Sequence, residues 1–139
     1  MPASPASAAR RGWRVAAAAA GLGALGVALG AFGAHGLRDL IAADRLETWR
    51  TAAQYHQLHA LAAVGAGALA ALRASQPALW AAGLFLAGVA LFSGSLYALV
   101  LLDVPVLGAV APLGGVAFIA GWSALAVALW HEGTRLGPG

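Results

Sequence analysis

The chain has 139 residues, of which 61% are hydrophobic and only 9% charged. A soluble domain uses about a quarter of its residues as charges to cover its surface, so these proportions exclude one and describe an integral membrane protein. The absence of cysteine excludes a disulfide framework, a thiolate nucleophile and a cysteine-ligated metal. The net charge of +3 comes from few groups, three of which (Arg10, Arg11, Arg14) precede the first apolar run, and this suits membrane topology better than nucleic-acid binding.

Residues 1–12, MPASPASAARRG, are small and rich in Pro, Ser and Ala, and are predicted to be a disordered tail before a single transmembrane domain over 13–132. From Val15 to Leu37 nothing is formally charged and only His35 titrates. An apolar run of more than about 18 residues reads as a transmembrane helix. A signal peptide shares the basic-then-apolar order, but its apolar core is only about 7–15 residues long. An uncleaved first helix over about 15–37 is therefore expected.

Residues 38–50, RDLIAADRLETWR, carry six charges in thirteen positions. Ala42, Leu46, Trp49 and Ala53 recur at i, i+4, i+7 and i+11, one face of a helix. The pattern predicts a short interfacial helix with Trp49 at headgroup level; the alternative is a solvated loop. Residues 51–72 form a second charge-free run holding His56 and His59. RASQP (73–77) interrupts it, with Ser75 suited to an N-cap and Pro77 to a first helical turn. A third helix is expected over 78–102, and DVP (103–105) marks a turn.

The fourth run, about 106–131, contains Pro112, which removes a backbone donor and crowds the carbonyl four residues back. Either the helix kinks there or it begins there; the residues from Pro112 to His131 would still span about 30 Å. The expected fold is all-α: an integral membrane four-helix bundle with a short interfacial helix between helices 1 and 2. Four spans put both termini on one side with Arg10, Arg11, Arg14, Arg73 and Arg135, leaving Arg38, Arg45 and Arg50 on the other. By the positive-inside rule the termini are cytoplasmic and the membrane is the cell (inner) membrane.

This topology places polar side chains of three helices in one layer of the outer half: His35; Gln54, Tyr55, His56 and His59; Ser93, Ser95 and Tyr97. The inner half is nearly all Ala, Leu, Val and Gly. His59 is expected to point into the bundle toward helices 1 and 3, near His35 and Tyr97, because a lipid-facing polar group loses water and gains no partner. Two accounts of the layer stand: hydrogen bonds between helices, or a site built from intramembrane ionisable groups. Gly26 and Gly30 form GxxxG, Ala117 and Gly121 repeat the spacing, and Gly114 and Gly115 lie in helix 4. Small residues let helices approach closely where lipid supplies no hydrophobic drive.

Four stretches in order, GAFGAHGL (30–37), TAAQYHQLHALA (51–62), LFSGSLYAL (91–99) and PLGGVAFIAGW (112–122), resemble the YgdD-like family of small integral membrane proteins, a domain of unknown function. The resemblance spans residues 20 to 130 and implies a four-helix protein of the bacterial cytoplasmic membrane, with no activity attached. By motif position His35, Tyr55, His59, Ser93, Ser95, Tyr97, Pro112, Gly114, Gly115 and Trp122 match the family pattern, and His56 is a position where relatives are expected to differ. The expected role is packing or binding in the lipid bilayer, alone or as a homo-oligomer, without nucleic acid and without covalent catalysis. The alternatives are a solute or proton pathway in an oligomer, or a module in which histidines hold haem, quinone or metal.

Overall fold

The computed structural model describes residues 4–135, and within them every regular element is helical. Helix α1 runs Pro5–Ala31 and continues through a wider π turn, Phe32–Gly36. Helix α2 runs Ala43–Arg73. Helices α3 (Gln76–Gly88) and α4 (Gly94–Leu102) are joined into one rod by a second π turn, Val89–Ser93. A 3₁₀ turn, Pro105–Ala109, leads into α5, Ala111–Arg135.

Of the residues expected to form a tail (1–12), the described ones, 4–12, are the N-cap and first turns of α1. Ser4 is an N-cap whose hydroxyl accepts the Ser7 amide at 3.3 Å, and Pro5 occupies the first turn with φ preset for a helix. Residues 1–3 lie outside the described residues. Composition misleads here because Gly12 is small for packing: a Cβ there would stand 2.7 Å from the Ala71 Cα. Gly67 in turn lies against Ala16, so Gly12-xxx-Ala16 on α1 meets Gly67-xxx-Ala71 on α2 backbone to backbone.

The separate interfacial helix expected over 38–50 is also corrected. Residues 37–42 turn, and Ala43 to Arg50 are the first two turns of α2 itself. The apolar residues do share a face, but that face meets protein. Leu46 is buried and Trp49 is only 1% exposed, with its indole N–H donating to the Leu29 carbonyl at 2.8 Å. Phe32 meets the indole edge-on and Tyr97 packs on its other side, at ring-centroid distances of 5.7 and 4.6 Å. Trp49 therefore sits under the π turn of α1, facing protein instead of lipid headgroups.

Ala6–Gly36, Gln76–Leu102 and Pro105–Arg135 are long and apolar enough to cross a membrane, with mean hydropathies of 2.0, 2.1 and 1.8. Helix α2 is as long, at 31 residues, but more polar. It lies against α1 over most of its length and against α3 and α4, while α3 packs on α5. Ion pairs tie α2 to the later helices at both ends. Near its start Arg45 bonds Asp103 at 2.6 Å; at its end Arg73 approaches Glu132 of α5 at 3.7 Å, and Glu132 also pairs with Arg135 of its own helix at 2.8 Å. Asp103 closes α4 at φ 53°, a left-handed conformation that Asp tolerates better than most residues. Of the two readings of helix 4, the structure has the helix starting near Pro112, in the first turn of α5, which leaves no kink at that residue.

Three phenylalanines seat on glycines across the α3–α5 crossing: Phe85 against Gly121, Phe118 against Gly88 and Phe92 against Gly114. Gly26 and Gly30 face side chains of α2, with virtual Cβ positions 3.1 Å from Gln57 Cγ and 2.8 Å from its Nε2. Gly115 differs from Gly26, Gly30, Gly114 and Gly121, because nothing lies within 4 Å of a Cβ there. Gly114→Ala, pressing on the Phe92 backbone (Cα 2.8 Å), is expected to destabilise the protein by about 1–3 kcal/mol. Gly115→Ala should be neutral or slightly stabilising, because alanine is the better helix former. Thermal unfolding of both variants in detergent checks this; equal losses would mean that the α3–α5 contact is looser than this geometry.

Candidate functional site

The polar side chains of α2 radiate to different helices. Trp49 reaches α1 through its bond to Leu29, and Gln57 donates its amide to the Gly26 carbonyl on α1 at 3.0 Å, through the gap left by Gly26 and Gly30. Ser93, fully buried in the second π turn, donates to the Ala52 carbonyl of α2 at 2.8 Å. His56, 2% exposed, turns its Nδ1 to the Tyr97 hydroxyl of α4 at 3.3 Å. Its Nε2 faces the backbone near Leu22 on α1 and completes no hydrogen bond, the one such buried side-chain atom among the described residues.

His59, 3% exposed, faces the other way. Its ring stacks on Phe118 with centroids 3.5 Å apart, and its Nε2 accepts the indole N–H of Trp122 at 3.2 Å. With Nε2 an acceptor, Nδ1 carries the proton and donates to the Tyr55 carbonyl at 2.8 Å. His59 is thus inside the bundle, as its desolvation cost requires, but it faces α5 and not His35 or Tyr97.

The candidate residues therefore separate into three groups. His56, Ser93 and Tyr97 gather on the α4 side of α2. His59 and Tyr55 gather on the α5 side, where Tyr55 packs against His59, Phe92 and Phe118. His35 is exposed on the first π turn, Gln54 is exposed on α2, and Ser95 is used within its own helix, donating to the Phe92 carbonyl at 3.0 Å. Trp49, Gln57, Phe118 and Trp122 complete the network and lie outside the candidate set. The GxxxG opposite Gln57, the shared helical face of Trp49 and the motif match at Trp122 are the sequence signals that point to these contacts.

Between α2 and α5 the second group borders a groove of about 490 Å³. Tyr55, His59, Phe92, Phe118 and Trp122 line it with aromatic rings, and Gln54 stands at its rim. Neither the Gln54 amide nor the Tyr55 hydroxyl makes a hydrogen bond among the described residues, so both polar groups are available to a ligand. No three His, Asp or Glu side chains converge among the described residues.

Double-mutant cycles on thermal stability test this partition. His56→Leu with Tyr97→Phe, and His59→Leu with Trp122→Phe, should each couple by about 0.6 kcal/mol and at most near 2. His59→Leu with Tyr97→Phe should be additive; coupling there as large as in the first two cycles would join the groups that the geometry separates.

Comparison with known proteins supplies the family. No solved structure matches the chain. Residues 29–115, from the end of α1 into α5, match the model of a protein family described as "Protein of unknown function (DUF423)". The UPF0382 membrane protein YwdK of Bacillus subtilis (strain 168) is 48% identical over 84 residues, 60% of this chain and 68% of the relative. The UPF0382 membrane protein SAB0533 of Staphylococcus aureus (strain bovine RF122 / ET3-1) is 45% identical over 83 residues, 60% and 67% of the two chains. SSP2132, a UPF0382 membrane protein of Staphylococcus saprophyticus, is 40% identical over 87 residues, 63% and 72% of the two chains. The matched region contains the turn beneath which Trp49 is buried, the whole of α2 and both π turns, and the chain belongs to this DUF423 family of membrane proteins.

Proposed function

We propose that the chain is a four-span binding component of the bacterial cytoplasmic membrane, with cytoplasmic termini, whose α2–α5 groove takes a ring-bearing amphiphile of the quinone class. The narrower kinship with YgdD-like proteins belongs to this reading, supported by the motifs at 30–37, 51–62, 91–99 and 112–122. So does the placement of the first two turns of α2 at the outer interface. There the unpaired Arg38 and Asp39 and the exposed Glu47 and Arg50 point away from the apolar rods.

The observation that carries the proposal is the groove itself. Aromatic walls suit a flat conjugated ring, and Gln54 and Tyr55 offer hydrogen bonds to ring carbonyls at its rim. The two rival roles fit less well. Both nitrogens of His59 are engaged, and the partnerless Nε2 of His56 lies buried outside this groove, so the groove offers no free histidine nitrogen to ligate a haem iron. A proton or solute path needs polar groups in file. Here each polar group on α2 closes on a separate partner, and the half below is packed with Ala63, Ala66, Ala81, Ala82 and Phe85.

Titrating the detergent-purified protein with a short-chain quinone, while following tryptophan emission, tests the proposal. Saturable quenching is expected, and Gly115→Leu, which fills the groove from an open position, should weaken it at least tenfold. Quenching that never saturates, or that Gly115→Leu leaves unchanged, would remove the groove as the site. Proton or solute flux in liposomes in its place would favour an oligomeric pathway.

A further inference from the structure

Charge is divided unevenly between the two ends of the bundle. The end holding Asp103 and the start of α2 has three arginines (Arg38, Arg45, Arg50) and four carboxylates (Asp39, Asp44, Glu47, Asp103). The opposite end has five arginines (Arg10, Arg11, Arg14, Arg73, Arg135) and one carboxylate, Glu132, which together with the first end accounts for the net +3. Glu132 is engaged by Arg73 and Arg135. Arg10, Arg11 and Arg14 form no ion pair among the described residues, and no acid side chain remains at that end to serve them.

Two of these three border a groove of about 400 Å³ between α1 and α3. Arg11 and Arg14 stand one turn apart at its mouth, and Val15, Leu79 and Gly83 line it below. The groove exists because α1 and α3 touch little, each packing on α2 instead. Gly83 keeps it open, since nothing lies within 4 Å of a Cβ there. Arg10 is not part of its wall. Trp13, Trp80 and Trp130, at 51, 65 and 75% exposure, ring the same end. Exposed tryptophans at this level mark the boundary between headgroups and hydrocarbon.

We propose that this groove is a binding site for one anionic phospholipid. Arg11 and Arg14 hold the phosphate by charge-assisted hydrogen bonds, and an acyl chain lies along Val15, Leu79 and Gly83. A free phosphate would satisfy the arginines and leave the apolar wall uncovered. A zwitterionic lipid would cover the wall and leave the surplus positive charge unanswered. Basic pockets between membrane helices recognise anionic headgroups in this way, each basic residue contributing roughly a factor of five in affinity.

The test is native mass spectrometry of the full chain released from detergent with equal phosphatidylglycerol and phosphatidylcholine, beside a brominated phosphatidylglycerol that quenches tryptophan. Wild type should retain one phosphatidylglycerol in preference to phosphatidylcholine, and inorganic phosphate should not displace it. Arg11→Gln with Arg14→Gln should lower that preference at least tenfold, two charges at roughly a factor of five each, whereas Arg10→Gln, outside the pocket wall, should lower it far less. Gly83→Leu should reduce retention of both lipids. All four substituted positions are exposed, and an unchanged melting temperature confirms that a loss is not unfolding. A loss with Arg10→Gln as large as that with the paired Arg11→Gln and Arg14→Gln would reduce the binding to diffuse surface charge and overturn the proposal, as would displacement by phosphate alone.

Discussion

A polar group withdrawn from water into an apolar surrounding must find its partner within the protein, and in this chain that requirement falls mainly on α2. It is the most polar of the long helices and also the one with the most neighbours around it. Trp49, His56, Gln57 and His59 each point to a different contact, and Ala52 offers its carbonyl to Ser93. The positions of α1, α4 and α5 around α2 are those that satisfy these groups. Each bond is modest in a membrane, typically about 0.6 kcal/mol, so their larger effect is on orientation: a helix rotated about its axis would strand several of them at once.

Where α2 does not dictate the packing, small residues do. Lipid is as apolar as leucine, so association depends on close contact and not on hydrophobic burial. Glycine and alanine supply it in two ways. At the α1–α2 crossing, Gly12, Ala16, Gly67 and Ala71 bring backbone against backbone. At the α3–α5 crossing, Gly121 and Gly88 receive the Phe85 and Phe118 rings and Gly114 lies against the Phe92 backbone, and the Phe92 and Phe118 side chains then line the aromatic groove. Packing and candidate binding surface are therefore built from the same side chains, and a ligand in the groove would rest on the interface between α3 and α5.

Much of the helical layout is legible in the sequence because charge-free runs and the Ser75–Pro77 start carry it directly. The concentration of polar residues in one half of the bundle depends on chain direction alone. The pairing of those residues does not, because it depends on the rotational phase of each helix. Two π turns each add a residue relative to the α-helical period, rotating the downstream residues by roughly 100°. His35 lies inside the first and Tyr97 just past the second, so a uniform 3.6-residue period misplaces both. Trp49 shows a second limit, since an amphipathic face has the same pattern whether it meets lipid or another helix. Gly12 shows a third: a run of small residues reads as disorder until its neighbour across the crossing is known.

The paired ends of α2 have a consequence for the bilayer itself. From Arg45, bonded to Asp103, to Arg73, beside Glu132, the helix rises about 42 Å, close to the full thickness of a membrane with its headgroups. Between these points the phenylalanine–glycine seats and the bonds to α1, α4 and α5 oppose sliding of one helix past another. A bundle locked along its axis cannot shorten or lengthen to match its surroundings. It therefore meets hydrophobic mismatch by tilting as one body, or by drawing the lipid around it to its own height.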